Sequence, residues 1–187
     1  TFGFIDREGN YIADGNIETQ KHEDINDYLK ELYLEIEKVL DPLREEIEMI
    51  GIGIGAPNGN YYKGSIEFAP NLRWHDVIPL CDMMKEFYPQ LPIFLTNDAN
   101  AAAIGEMIYG GAKGMKDFIM VTLGTGLGSG FVANGQLIYG SDGFAGELGH
   151  IIVSPNGRQC GCGRNGCLET YVSATGVKRT AYKMMAK

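Results

Sequence analysis

What the sequence lacks narrows the field first. No run of about 18 apolar residues occurs, so no membrane-spanning helix is expected. No basic segment followed by an apolar stretch opens the chain, and no signal peptide is visible. Basic charge is in deficit, with 16 Lys and Arg against 24 Asp and Glu and a net charge of −8. A nucleic-acid face needs the opposite balance, so nucleic acid is not an expected partner. Cysteine is scarce, four in 187 residues, and three of them crowd together rather than spreading as a secreted disulfide framework does. The expected setting is therefore the cytoplasm. Two phosphate-binding signatures are also missing. The G-x-x-x-x-G-K-[ST] loop is absent, and the G-x-G-x-x-G pattern fails because its third glycine, counted from Gly124, falls on Ser129.

What is present begins with those three cysteines. Cys160, Cys162 and Cys167 follow a C-x-C-x4-C spacing with Gly161, Gly163 and Gly166 between the sulfurs, and His150 stands upstream. Three thiolates and one imidazole complete a tetrahedral set for zinc, and the glycines let a short loop turn its sulfurs toward one point. A complete set leaves no position for a reactive water, so the metal is expected to be structural. Glu147, His150 and Glu169 flank the knot as the polar groups it would hold in place. Cys81 lies beside Leu80 in a helical pattern and reads as a core residue.

At 44% hydrophobic and 21% charged, the chain can bury a core. Residues 1–6 and 11–13 read as a hairpin. Residues 23–40 place Ile25, Leu29, Leu32 and Ile36 at helical spacing, ended by Asp41-Pro42. Residues 49–55 read as a buried strand, 76–88 as a helix, 93–95 as a short strand, and 98–109 as a helix stopped by Gly110-Gly111. Such alternation predicts an α/β fold with parallel crossovers. In such sheets ligands bind beyond the carboxyl ends of strands, which singles out the loops at Gly55 and at Asn97-Asp98. By position alone Asp98 reads as a helix cap. The division expected is a first lobe over 1–115 and the start of a second over 116–187. Trp74 and Tyr61 suit core packing better than ligand stacking. The C-terminal residues read as a helix still in progress, and both ends read as those of a fragment.

A strand over 117–121 leads into Gly124-Thr125-Gly126, Gly128 and Gly130, and Asn134-Gly135 is a strong two-residue turn signal. A glycine-rich hairpin follows. Its backbone N–H groups suit an anion nest, and its glycines equally suit a tightly kinked sheet edge.

Taken together, these residues resemble the ROK family of sugar kinases and sugar-responsive repressors. The resemblance rests on Leu123-Gly-Thr-Gly-x-Gly128, Gly146-Glu-x-Gly-His150 and Cys160-x-Cys-Gly-x-x-Gly-Cys-x-Glu169. Gly53-x-Gly55-x-Pro57, Pro70-Asn71-Leu72 and Asn97-Asp98-Ala99-Asn100-Ala101 also carry it. It implies an actin-like ATPase fold of two ribonuclease H-like lobes, incomplete in this chain. It implies that Asp98 is the catalytic base, and that Gly55, Asn71, Asn97, Glu147, His150 and Glu169 serve a hexose. Gly124, Thr125 and Gly126 would approach the phosphates of Mg-ATP, and His150, Cys160, Cys162 and Cys167 would bind structural zinc. A base in line with the γ-phosphate and a magnesium ion are what phosphoryl transfer to a hydroxyl requires. Glutamates and asparagines supply the acceptors and donors that vicinal hydroxyls need. The family's Asp-x-Gly-Gly-Thr phosphate loop is missing, as is the completion of the second lobe. The expectation is therefore that the parent protein is a glucokinase-like hexose kinase and the chain by itself inactive. A sugar-responsive repressor is the alternative, and a non-catalytic zinc module a weaker third. A homodimer is a further expectation from the family.

Overall fold

The computed structural model describes residues 1–186. The chain divides into two compact units, Thr1–Asn97 and Asp98–Lys187. In the first, β1 (Phe2–Ile5) and β2 (Tyr11–Gly15) pair antiparallel. Their turn is held by Asp6, whose Oδ1 accepts the N–H groups of Glu8 at 3.0 Å and Asn10 at 2.8 Å. Helix α1 (Ile25–Leu40) starts where the Asp24 carboxylate accepts the Asn26 N–H at 2.8 Å, satisfying one donor of the first turn. Its buried face is Leu29, Ile36 and Leu40.

The strand β3 (Ile52–Gly55) runs parallel to β7 (Ile93–Thr96). Between them in sequence lie β4 (Gly59–Asn60), β5 (Ser65–Glu67), β6 (Val77–Ile78) and α2 (Leu80–Lys85). The strands β4, β5 and β6 form a small antiparallel sheet. The helix expected over 76–88 is correspondingly short. Val77 and Ile78 pair with Glu67 and Ile66, and Pro79 stands at the helix start, where its fixed φ and missing N–H cost nothing. The core joins α1, the sheets and α2 through Leu29, Ile36, Ile66, Ile78, Met84 and Leu95. Cys81 belongs to it, as expected, and Trp74 packs against it, 5.0 Å from the Tyr28 ring.

The second unit opens with α3 (Asp98–Ile108). The strands β8 (Phe118–Leu123), β9 (Leu127–Ala133) and β10 (Gln136–Leu137) form one antiparallel sheet in the order β10-β9-β8. Asn134 and Gly135 turn the chain with φ of 53° and 73°, the left-handed pair that such a hairpin needs. A single tight turn, Leu148–His150, leads to the cysteine loop, then to α4 (Glu169–Val172) and α5 (Ala174–Met185). The sequence reading carried the first lobe through residue 115, whereas the compact units meet between Asn97 and Asp98. The reason lies in what α3 packs on, described below. Among the described residues, no helix is long and apolar enough to cross a membrane.

Candidate functional site

The cysteine loop closes on itself before any ion is considered. The Cys160 N–H donates to the Arg164 carbonyl at 2.9 Å, and the Gly163 N–H returns to the Cys160 carbonyl at 3.1 Å. Gly163 and Gly166 take φ of 86° and 78°. At Gly166 a Cβ would also fall on the Ser154 carbonyl oxygen, so only glycine fits. The ligand atoms of His150, Cys160, Cys162 and Cys167 lie within 4.8 Å of one another. Two pairs are closer: Cys160 Sγ to His150 Nδ1, and Cys162 Sγ to Cys167 Sγ, each at 3.7 Å. Two sulfurs about 2.3 Å from one tetrahedral ion stand about 3.8 Å apart, so these residues fit a zinc-sized ion. The imidazole turns Nδ1 to the sulfur side and leaves Nε2 for another partner.

The electrostatics of the knot divide its thiols: burial pushes Cys160 up to about 12, while Cys162 is drawn down. At Cys162 burial pushes the thiol pKa up, but hydrogen bonds from the Arg164 backbone and guanidinium, and from the neighbouring sulfurs, outweigh it and bring it down. Arg164 Nη2 also donates to the His150 carbonyl at 3.1 Å, so one cation braces both ends of the loop.

Glu169, the first residue of α4, reaches back to this loop and to β9. Its Oε1 lies 3.5 Å from Cys160 Sγ, and its Oε2 accepts the Leu127 N–H at 3.0 Å. Glu147 precedes the tight turn. The flanks of that turn are tied to β9, where Ser129 Oγ bonds the Gly146 carbonyl and accepts the Leu148 N–H. Partial burial of the Glu147 carboxyl raises its pKa, although the residue as a whole is exposed. His150 opposes that rise, while the charges of Asp98 and Glu169 add to it. The Glu147 carboxyl thus lies within reach of an imidazole from its own turn and of two carboxylates from two other stretches of the chain. Asp98 is exposed at the start of α3, with the Ala99 N–H donating to its Oδ1 at 2.9 Å. The sequence reading set Asp98 and Glu169 on opposite lobes, but the two belong to one compact unit.

The glycines of β9 explain this. A Cβ at Gly128 would stand 2.8 Å from Ala99 Cβ, and one at Gly130 would stand 2.6 Å from Ala103 Cβ. Ala99 and Ala103 are one helical turn apart, so α3 lies directly on the bare backbone of β9. This contact delivers Asp98 beside the hairpin. Gly126 has a different reason: a Cβ there would run into Glu169 Oε2. At the hairpin tip, the Gly124 carbonyl accepts the Ala174 N–H at 2.9 Å and the Thr125 carbonyl accepts the Thr175 hydroxyl at 2.8 Å. The tip is thereby tied to the first turn of α5.

The remaining predicted residues lie in the first unit. Gly55 is paired in register with Thr96, immediately before Asn97. Both therefore sit at the carboxyl ends of neighbouring parallel strands, the place where such sheets bind ligands. Asn71 is exposed on the loop after β5, and its carbonyl accepts the Gln20 side chain at 2.9 Å. Sequence reasoning missed Ser129, Arg164 and Thr175. Ser129 fills an intervening position of the regular glycine series 124, 126, 128 and 130, so the pattern gives no signal for it. Arg164 and Thr175 act through contacts that no local pattern reveals.

Comparison with known proteins places this geometry in context. The sequence profile of the ROK family matches residues 1–187. A glucokinase of Halalkalibacterium halodurans is 48% identical over 140 residues, which is 74% of this chain and 42% of that protein. A ROK family glucokinase from Streptomyces griseus, solved with glucose and AMPPNP, superposes with a TM-score of 0.77 at 35% identity. It covers 97% of this chain and 56% of the other. A ROK family transcriptional regulator, a homologue of the E. coli MLC protein, superposes with a TM-score of 0.83 at 27% identity, covering 98% of this chain and 46% of the other. The chain spans about half the length of the curated relatives it matches.

Proposed function

This chain belongs to the ROK family, and from that premise we propose that the whole protein transfers the γ-phosphoryl group of ATP to a hydroxyl of a hexose, with glucose the preferred sugar. The observation that carries the reading is the gathering of Asp98, Glu147, His150 and Glu169 in one compact unit, with the other three within electrostatic reach of the Glu147 carboxyl. A cluster of carboxylates is a poor protein core and a good set of acceptors for sugar hydroxyls. Similarity to the glucokinases of Halalkalibacterium halodurans and Streptomyces griseus supports the choice of substrate.

In this reading Asp98 is the general base. It is exposed at a helix start, with the Ala99 N–H donating to its Oδ1, and placed to accept the proton of an attacking hydroxyl. Glu147, Glu169 and the free Nε2 of His150 contact the sugar, joined by Asn97 and Asn71 and by the backbone near Gly55. Gly124, Thr125 and Gly126 approach the phosphates of Mg-ATP. His150, Cys160, Cys162 and Cys167 hold zinc, which supplies rigidity and no reaction chemistry. The cytoplasm is the compartment and a homodimer the assembly that this reading carries with it.

The test is ADP release from ATP by the whole protein, offered glucose, mannose, N-acetylglucosamine and N-acetylmannosamine in turn. Glucose-dependent release is expected, with Asp98→Ala reducing turnover by more than about a thousandfold while sugar binding survives. No ADP with any of the four sugars would refute the kinase. The superposition on a transcriptional regulator favours one second reading, a sugar-responsive repressor. That reading predicts sugar-sensitive binding of the whole protein to operator DNA and no phosphoryl transfer.

A further inference from the structure

Arg158 stands two residues before Cys160 and has no part in the roles above. Its backbone is used first: the carbonyl accepts the Gly166 N–H at 2.7 Å, and its N–H donates to the Tyr171 hydroxyl at 3.2 Å. Its side chain then crosses to the two C-terminal helices. Nη1 donates to the Thr170 carbonyl at 2.7 Å and to the Gly176 carbonyl at 2.9 Å, and Nη2 donates to the Thr180 hydroxyl at 2.7 Å. The guanidinium carbon lies 4.7 Å from the centre of the Tyr171 ring. Every one of these partners is neutral, so the arrangement is a hydrogen-bonded fork rather than an ion pair.

The fork answers a local need. Helix α4 has four residues, too few to be stable by itself, and its carbonyls have few helical partners. Glu169 is its first residue. Thr170 follows and is pinned on its other side, where its N–H and hydroxyl both donate to the Cys167 carbonyl at 3.0 and 2.8 Å. Ser173, fully buried, caps α5 through the Gly176 N–H at 3.1 Å. The elbow between α4 and α5 is therefore gripped by one side chain, and that side chain belongs to the loop carrying the cysteines.

We propose that Arg158 is a positioning residue for Glu169: by bridging the Thr170 and Gly176 carbonyls it sets the direction in which the Glu169 carboxylate leaves the knot. Lysine cannot replace it, because an ammonium point charge lacks the planar fork that reaches two carbonyls, a hydroxyl and a ring face together. The catalytic consequence rests on the sugar-kinase reading; the geometric one does not.

The experiment compares the whole wild-type protein with Arg158→Lys and Arg158→Met, measuring bound zinc, steady-state kinetics and amide hydrogen exchange over residues 168–176. For Arg158→Lys we expect zinc retained, the sugar KM raised about tenfold, and kcat lowered by less than about twofold. Exchange over 168–176 should quicken in both variants. Wild-type KM and exchange in Arg158→Lys would overturn the proposal. So would zinc loss with kcat and KM collapsing together, which is the signature of a merely structural arginine. Should the wild type phosphorylate no sugar, the kinase reading fails, and the exchange data still decide the role of Arg158. If Arg158→Met fails to fold, Arg158→Lys carries the test.

Discussion

Glu169 holds two parts of the second unit at once: its Oε2 takes the Leu127 N–H at 3.0 Å, and its Oε1 lies 3.5 Å from the Cys160 sulfur. A carboxylate has about four acceptor sites, so these contacts leave capacity for a ligand. The same side chain therefore links the glycine hairpin to the cysteine knot; under the proposed function it would link both to the sugar.

Gly126 tests that coupling. Its replacement by alanine puts a methyl group into Glu169 Oε2. The flexible carboxylate can swing away, so the fold should survive while the Leu127 contact is lost. Kinetics on the whole protein should show the sugar KM rising by about tenfold or more, with the thermal midpoint within a few degrees of wild type. A large fall in midpoint with no change in KM would mean that the glycine serves the fold alone.

Gly130→Ala probes the packing of α3. The added Cβ comes within 2.6 Å of Ala103 Cβ and 3.2 Å of the Ala99 carbonyl oxygen, and these are stiff parts of a helix and strand. Overpacking of this kind costs about 1–3 kcal/mol. Urea unfolding should register a loss in that range, and Gly130→Val a larger one. An unaltered midpoint for both would show that α3 can lift off β9.

Metal removal should act on the fold. Cys167 is fully buried, so Cys167→Ser leaves a weaker ligand with no water to compensate it. Atomic absorption should find the bound zinc lost. Calorimetry should find the thermal midpoint lowered, as in other sites where metal binding is part of folding. Treatment of wild type with a strong chelator should give the same pair of results. Retention of the full midpoint after complete zinc loss would rule out a structural role.

Acid should loosen the small sheet of the first unit. The Glu67 carboxylate is bonded by the Lys63 ammonium, which is the main influence lowering its pKa beneath 4.5, with Ser65 and Asn60 adding to the effect against burial. A carboxylate with a lowered folded-state pKa contributes its stability above the unfolded pKa and loses it as pH falls through the folded one. Stability measured downward from pH 5 should therefore decline, and Glu67→Gln should flatten that decline. Parallel slopes for the two proteins would count against the assignment.

The cysteine-histidine cluster was legible in order along the chain. The C-x-C-x4-C run with His150 upstream names its donors without help from the fold, because glycines and sulfurs so close in sequence have few ways to avoid meeting. The Asn134-Gly135 turn was equally plain, since its backbone angles are local. The short strands β4, β5 and β6 were not, because each is two or three residues long and stabilised only by its neighbours. Residues 76–79 likewise looked helical until the pairing of Val77 and Ile78 with β5 overrode their spacing.

The sequence by itself determined the donor set, the α/β class and the family, since these depend on residue type at short spacing and on hydrophobic period. Only the tertiary structure decided what the glycines of β9 are for. They were read as a phosphate nest or a kinked edge, and Gly128 and Gly130 turn out to seat α3 against a bare strand. That close approach, between segments far apart in the chain, brings Asp98 into the unit that holds Glu147 and Glu169. No local pattern encodes it, because the missing Cβ atoms matter only once a second backbone arrives to occupy their space.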